Sequence, residues 1–171
     1  MNHQKLPVKR LEGEGFARYG AYARVIPASA RALGPAPIQF MPDLLRMSCD
    51  GRVGFSVNRL AKRTFAITAL ECHDRAQEAI LPLDGDVLVH LAPPTRKSAV
   101  PVDEIEVFLV PRGTMLLIEP GVWHHAPFPV GEGDCHVLVV LPERTYENDC
   151  FVHRLAPEDA IGIDFPEAVS G

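Results

Sequence analysis

The chain has no basic run longer than two residues and no two cysteines in Cys-x-x-Cys spacing. It also has no stretch near the about 20 apolar residues that a membrane helix needs. Each absence removes a class of function. Acidic residues outnumber basic ones, 22 to 17, for a net charge of −5. A nucleic-acid binder concentrates positive charge on one face, and nothing here supplies that footprint, so no nucleic-acid partner and no membrane partner are expected. The opening MNHQKLPVKRLEGEG carries charge without an apolar core, which excludes a secretory signal and points to a cytoplasmic protein. Cys49, Cys72, Cys135 and Cys150 are too scattered for a structural zinc cluster and are expected as free thiols. A sustained 3.6-residue period is missing as well, and with it the basis for a parallel βαβ sheet.

What is present fits one domain of 171 residues, 47% of them hydrophobic, enough to bury a core without staples. Residues 1–50 read as an irregular arm that wraps the domain or reaches a partner. Glu12 to Tyr19 can form a short helix ended by Gly20, and Pro27, Pro35, Pro37 and Pro42 forbid long regular structure after it. From residue 51 to 156 the texture is β. Gly54 to Arg59 alternates apolar and polar. Thr64 to Leu70, Asp86 to Leu91, Glu104 to Val110, Thr114 to Glu119, Cys135 to Leu141 and Asp149 to Leu155 read as further strands, broken by Gly and Pro. Many short strands at close spacing predict an all-β barrel or sandwich. Residues 157–171 form a tail with one helical turn near Pro157 and a frayed end from 165.

Two segments concentrate chemistry. In Glu71-Cys72-His73-Asp74-Arg75-Ala76-Gln77-Glu78, strand alternation puts Glu71 and His73 on one face, and Glu78 can return its carboxylate to the same place after a turn. In Pro120-Gly121-Val122-Trp123-His124-His125, a Pro-Gly turn delivers a histidine onto the next strand. Two imidazoles and a carboxylate suit a divalent first-row metal with positions left open.

His73, Glu78 and Gly85 form H-x4-E-x6-G, which resembles the first cupin motif. Gly113 followed by Pro120 to His124 forms G-x6-PGVWH, which resembles the second. The resemblance implies a cupin-type double-stranded β-helix, or jelly-roll, barrel. It also implies a divalent metal (nickel, zinc, manganese or iron) held by His73, Glu78 and His124. Glu71 stands where metal-binding cupins place a further histidine, and it is either a fourth ligand or a carboxylate that fixes the barrel mouth by hydrogen bonds.

A narrower resemblance covers most of the chain. Arg18-Tyr19-Gly20, Phe55 to Arg59, Leu70-Glu71-x-His73 leading to Pro82 and Gly85, Val122 to His125, and Asn148-Asp149-Cys150 are similar, in order and spacing, to the ureidoglycolate lyase family. That family commonly forms dimers and splits ureidoglycolate into glyoxylate and urea in purine (allantoin) breakdown. It usually has Pro where this chain has Asp74 and Gln where it has Glu78, and the change to Glu adds an anionic ligand. Its reaction implies a small carboxylated substrate and a homodimer. The implied catalytic roles fall to Glu71 as base, His125 as proton donor to the leaving nitrogen, and Arg59 as carboxylate clamp. Asn58, Trp123 and Tyr146 join Arg59 as substrate contacts. His125 alternates away from His124 on a regular strand, so it is equally a wall or interface residue. Because one barrel hosts many functions, a metal-dependent oxygenase, isomerase or hydrolase and a non-catalytic ligand-binding protein are the competing expectations.

Overall fold

The computed structural model describes residues 5–28 and 30–165. The described residues begin with β1 (Leu6–Arg10), α1 (Gly13–Ala17) and β2 (Gly20–Arg24), and no helix or strand is present among them from there to β3 (Val53–Leu60). Short strands follow: β4 (Ala66–Ile67), β5 (Ala69–Cys72), β6 (Glu78–Pro82), β7 (Val87–Ala92), β8 (Glu106–Val110), β9 (Thr114–Ile118), β10 (Trp123–His124), β11 (Phe128–Pro129) and β12 (Cys135–Pro142). The turn α2 (Thr145–Asn148) leads to β13 (Phe151–Arg154) and β14 (Ile161–Asp164).

These strands form two curled sheets. The larger runs β13-β5-β10-β7-β8-β1-β14-β4, with β11 also on β7, and the smaller runs β2-β9-β6-β12-β3. Alternation decides what each face buries. Val87, Val89 and Leu91 of β7 point between the sheets and meet Ile80, Leu116, Ile118, Val137 and Val139 of the smaller sheet. Leu88 and Ala92 point the other way, into a second cluster with Leu70, Trp123, Phe128 and Ile163. β7 is therefore buried on both faces, which explains its unbroken apolar run. Phe16 of α1 enters the space between the sheets and meets Phe108 and Tyr22 edge-on, with ring centroids 5.5 and 5.6 Å away. This is the cupin jelly roll that the two motifs imply.

The expected strands from β3 onward are present, with the stretch 64–70 divided between β4 and β5. The irregular arm is shorter than expected. β1 lies parallel between β8 and β14, and β2 pairs along β9, so residues 6–24 belong to the sheets themselves. Lys9 and Arg10 masked β1, because its charged positions face solvent at a sheet surface. The tail is also built in: Pro157–Asp159 makes the expected helical turn, but β14 then pairs with both β1 and β4. The frayed end expected from 165 lies, from 166 on, outside the described residues. All four cysteines are free thiols. Among the described residues no helix is long and apolar enough to cross a membrane.

Candidate metal centre

The strand registers carry three acidic or imidazole side chains to one point between the sheets. On β5 and β10, Glu71 lies opposite His124, which lies opposite Leu91 of β7. Directly paired residues share a face, and Leu91 is in the inter-sheet core, so Glu71 and His124 point inward. His73 follows Glu71 by two. Glu78 begins β6 on the same face as Ile80. The Pro120-Gly121 turn sets the path into β10. Gly121 has φ of 80°, and its N–H donates to the His73 carbonyl at 2.6 Å, tying the two motifs together.

The result is a buried triad. Nε2 of His73 lies 3.1 Å and Nε2 of His124 lies 3.2 Å from the same oxygen, Oε2 of Glu78. One ligand atom from each of the three residues lies within 4.8 Å of the others. The other ring nitrogens decide what this means. Nδ1 of His73 donates to the Asp149 carbonyl at 2.6 Å, and Nδ1 of His124 donates to the Val122 carbonyl at 2.9 Å. With Nδ1 carrying the proton, each neutral ring turns its Nε2 lone pair toward the Glu78 carboxylate. Acceptors facing acceptors in a buried site need a cation or extra protons between them. The donor set, two neutral imidazoles and one carboxylate, fits a divalent first-row ion.

Protons alone satisfy the site in a second way. Burial opposes the charge on Glu78, but the hydrogen bonds and charge of His124, then His73, outweigh it and hold the carboxyl at about 2. Burial likewise opposes a charged His124, yet Glu78, reinforced by Glu71, raises its pKa. A metal-free site therefore stores an imidazolium–carboxylate pair, which a cation displaces with release of a proton.

The remaining candidates divide by face. Glu71 points inward beside the triad, half-buried, and its Oε2 lies 3.5 Å from the Cys150 thiol. Asn58 pairs with Val137 and shares its inward face, and it is exposed at the rim of the smaller sheet. Three of the expected site residues lie away from the triad. Arg59 pairs with His136 on the outer face and is held by Asp134, Nε to Oδ2 at 2.7 Å, so alternation turns its guanidinium away from the triad. Trp123 is fully buried in the second cluster, with its ring N–H on Thr95 Oγ1 at 2.9 Å, and offers no surface to a substrate. His125 follows His124 onto the opposite side, where its ring lies 6.5 Å from that of His90. Tyr146 is 70% exposed on α2.

Sequence reasoning passed over the groups that hold the ligands. Asp149 contacts the loop after His73. Gln77 donates to both oxygens of Glu119 at 2.9 Å and accepts from the Ser48 N–H at 2.6 Å. These contacts join residues distant in sequence, and no local spacing announces them.

A family model for ureidoglycolate lyase matches residues 3–161. The chain belongs to the ureidoglycolate lyase family. No curated protein matches it by sequence. Among solved structures, it is similar to a dTDP sugar isomerase from Desulfovibrio desulfuricans G20, at 19% identity over 88% of this chain and 92% of that one, with a TM-score of 0.49. It is also similar to a sugar 3,4-ketoisomerase from Thermoanaerobacterium thermosaccharolyticum, at 19% identity over 77% and 85% of the two chains, with a TM-score of 0.44. A third likeness is to a Lactobacillus farciminis oxalate decarboxylase, at 14% identity and a TM-score of 0.43, where 58% of this chain corresponds to 26% of that one. The carboxylate of Glu78 sits at the centre of the triad, between the two imidazoles.

Proposed function

We propose that this chain is a metal-dependent ureidoglycolate lyase that releases urea from ureidoglycolate and leaves glyoxylate. The observation that carries the reading is the convergence of His73 Nε2, His124 Nε2 and the Glu78 carboxylate, in a chain of this family, with both rings oriented by backbone carbonyls. His73, Glu78 and His124 would hold the ion, and a divalent cation there supplies Lewis acidity toward the hydroxyl and carboxylate oxygens of a 2-hydroxy acid.

The chain's own groups account for the proton. The reaction takes a proton from the carbinol hydroxyl, forms the C=O bond of glyoxylate with the electron pair of that O–H, and breaks the C–N bond. The departing urea nitrogen takes up one proton, so none is gained or lost. Glu71 is the carboxylate beside the triad and outside its ligand set, and it can accept the hydroxyl proton and return it to the nitrogen. Asn58 lies inward on β3 but level with Pro82, at the opposite end of β6 from Glu78. Product analysis tests the reaction type. Equal amounts of urea and glyoxylate without ammonia support a lyase, whereas ammonia release would replace it with a hydrolase.

The reading includes a homodimer. β3 has β12 as its one strand neighbour among the described residues, and its outer face exposes Phe55 at 73% and Val57 at 57%. Ile38 and Phe40, at 82% and 64% exposed, add apolar surface from the preceding segment. An eight-residue edge strand with uncovered apolar side chains is a site for association with a second copy. Light scattering at about 10 μM is expected to give twice the chain mass for the wild type. Phe55→Asp, which puts a charge into that face, is expected to weaken dimerisation at least about tenfold. A wild-type monomer at that concentration contradicts the dimer.

A further inference from the structure

We propose that Asp149 is a positioning residue for the metal centre: a single side chain and its own carbonyl set both the ring of His73 and the course of the loop that delivers Glu78. The inference rests on the metal-site reading above and adds a residue to it.

Four consecutive residues answer to Asp149. Its Oδ1 accepts the Asp74 N–H at 3.0 Å, and its Oδ2 accepts the N–H groups of Arg75 and Ala76, each at 3.0 Å. Its backbone carbonyl accepts the Nδ1–H of His73 at 2.6 Å. The loop between β5 and β6 carries two of the three ligands, His73 at its start and Glu78 at its end. Without Asp149, three successive loop N–H groups would have no protein acceptor among the described residues. A carboxylate oxygen shared by two amides and a second oxygen on a third fix the loop's rotation as well as its position.

Asp149 is itself firmly mounted. Its N–H donates to the Thr145 carbonyl at 2.8 Å, closing α2, and the Thr145 hydroxyl donates to the Pro142 carbonyl at the end of β12 at 2.7 Å. Two residues on, Phe151 pairs with Cys72 of β5, the strand that leads into His73. The mount therefore reaches the ligand loop by two routes, through the β13–β5 ladder and through the carboxylate. A carbonyl that receives Nδ1–H holds the tautomer in which Nε2 keeps its lone pair, the form a metal needs. The contact spans 73 to 76 residues of sequence, so its purpose is visible only in the folded chain.

Titration calorimetry with Mn²⁺ as the probe, on the full chain, tests this. Loss of such a supporting group typically costs 10- to 100-fold in metal affinity, and a weakening of about that size is expected for Asp149→Ala. Asp149→Asn, which keeps one acceptor oxygen, is expected to fall between Ala and wild type, and it carries the test if the Ala variant does not fold. Asp84→Asn, which removes a comparable acidic anchor from His136 on the surface, is expected to leave Mn²⁺ affinity unchanged. Affinity within twofold of wild type in both Asp149 variants would overturn the proposal. A readout without metal separates this from the metal reading. In metal-free wild type, nitrogen-resolved NMR is expected to show one slowly exchanging His73 Nδ1–H signal, broadened or lost in the Asp149 variants. If wild type takes up no Mn²⁺, the metal reading fails, and an unchanged His73 signal in the variants would overturn the positioning role by itself.

Discussion

Glu78→Gln is expected to weaken divalent-metal binding by at least about a hundredfold while leaving the barrel folded. The substitution keeps the side chain's shape and removes its charge. Two Nε2 lone pairs then face a neutral amide, and the site loses its one anionic ligand. Removing one partner of a buried charged set costs about 3–5 kcal/mol, which corresponds to about two to four orders of magnitude in affinity. Calorimetry with Mn²⁺ checks the binding.

The same substitution changes how stability depends on pH, with a sign that can be worked out. The Glu78 carboxyl titrates at about 2 in the folded chain against an ordinary 4.5. Its contribution to stability is present above the ordinary value and is lost as pH falls toward 2, an effect on the order of 3 kcal/mol. His124 is raised above its ordinary 6.5, so its contribution is present below 6.5 and disappears as pH rises through the folded value. Metal-free wild type therefore draws most from this pair between about pH 4.5 and 6.5 and loses stability on either side. The Gln variant is expected to lose both slopes. A cation in place of the proton reverses the alkaline limb, because deprotonated rings bind metal better. Thermal melts of the metal-free and Mn²⁺-loaded protein across pH 4 to 9 distinguish these cases.

Gly20→Ala is expected to abolish stable folding. Gly20 has φ of 145°, and an added Cβ would stand 1.9 Å from the carbonyl oxygen of Leu117, a backbone atom in β9 that no side-chain rotation can move. Gly20 also pairs with Ile118, which in turn pairs with Glu78. Relief by displacing β9 would shift the start of β6 and the ligand it carries. Large losses of more than about 4 kcal/mol arise from clashes of this kind, where backbone meets backbone. Circular dichroism and yield of soluble protein measure the outcome. A Gly20→Ala protein with wild-type melting would show that β2 does not pack on β9 as described.

How much of this was legible beforehand depends on the range of the interaction. Alternation along a strand and a Pro-Gly turn are local, so β3, β7, β9 and β12 could be read from the chain, and so could the three residues of the triad. Faces at strand ends were harder to assign. Arg59 and Asn58 are neighbours on one strand, and the guanidinium is the group whose chemistry suits a carboxylate. The register with Val137 turns Asn58 inward and leaves Arg59 paired with Asp134 outside. Trp123 and His125 flank an inward histidine, so alternation sends both outward. β1 and β14 are not legible in sequence because a parallel pairing between the two ends of the chain leaves no hairpin signal. Asp149 was visible only as part of a family-like tripeptide. Its acceptors face N–H groups of a loop more than seventy residues away, a relation set by the β13–β5 register and not by spacing.

The proposed task of the His73–Glu78–His124 triad is to hold a divalent ion. The most direct test is glyoxylate release from ureidoglycolate by protein stripped with a chelator and then titrated with Mn²⁺, Ni²⁺, Zn²⁺ and Fe²⁺, with His124→Ala alongside. Loss of release on stripping, recovery with at least one of these ions in wild type, and no recovery in His124→Ala are the expected results. Full release by the stripped protein, or by the variant, would contradict that task.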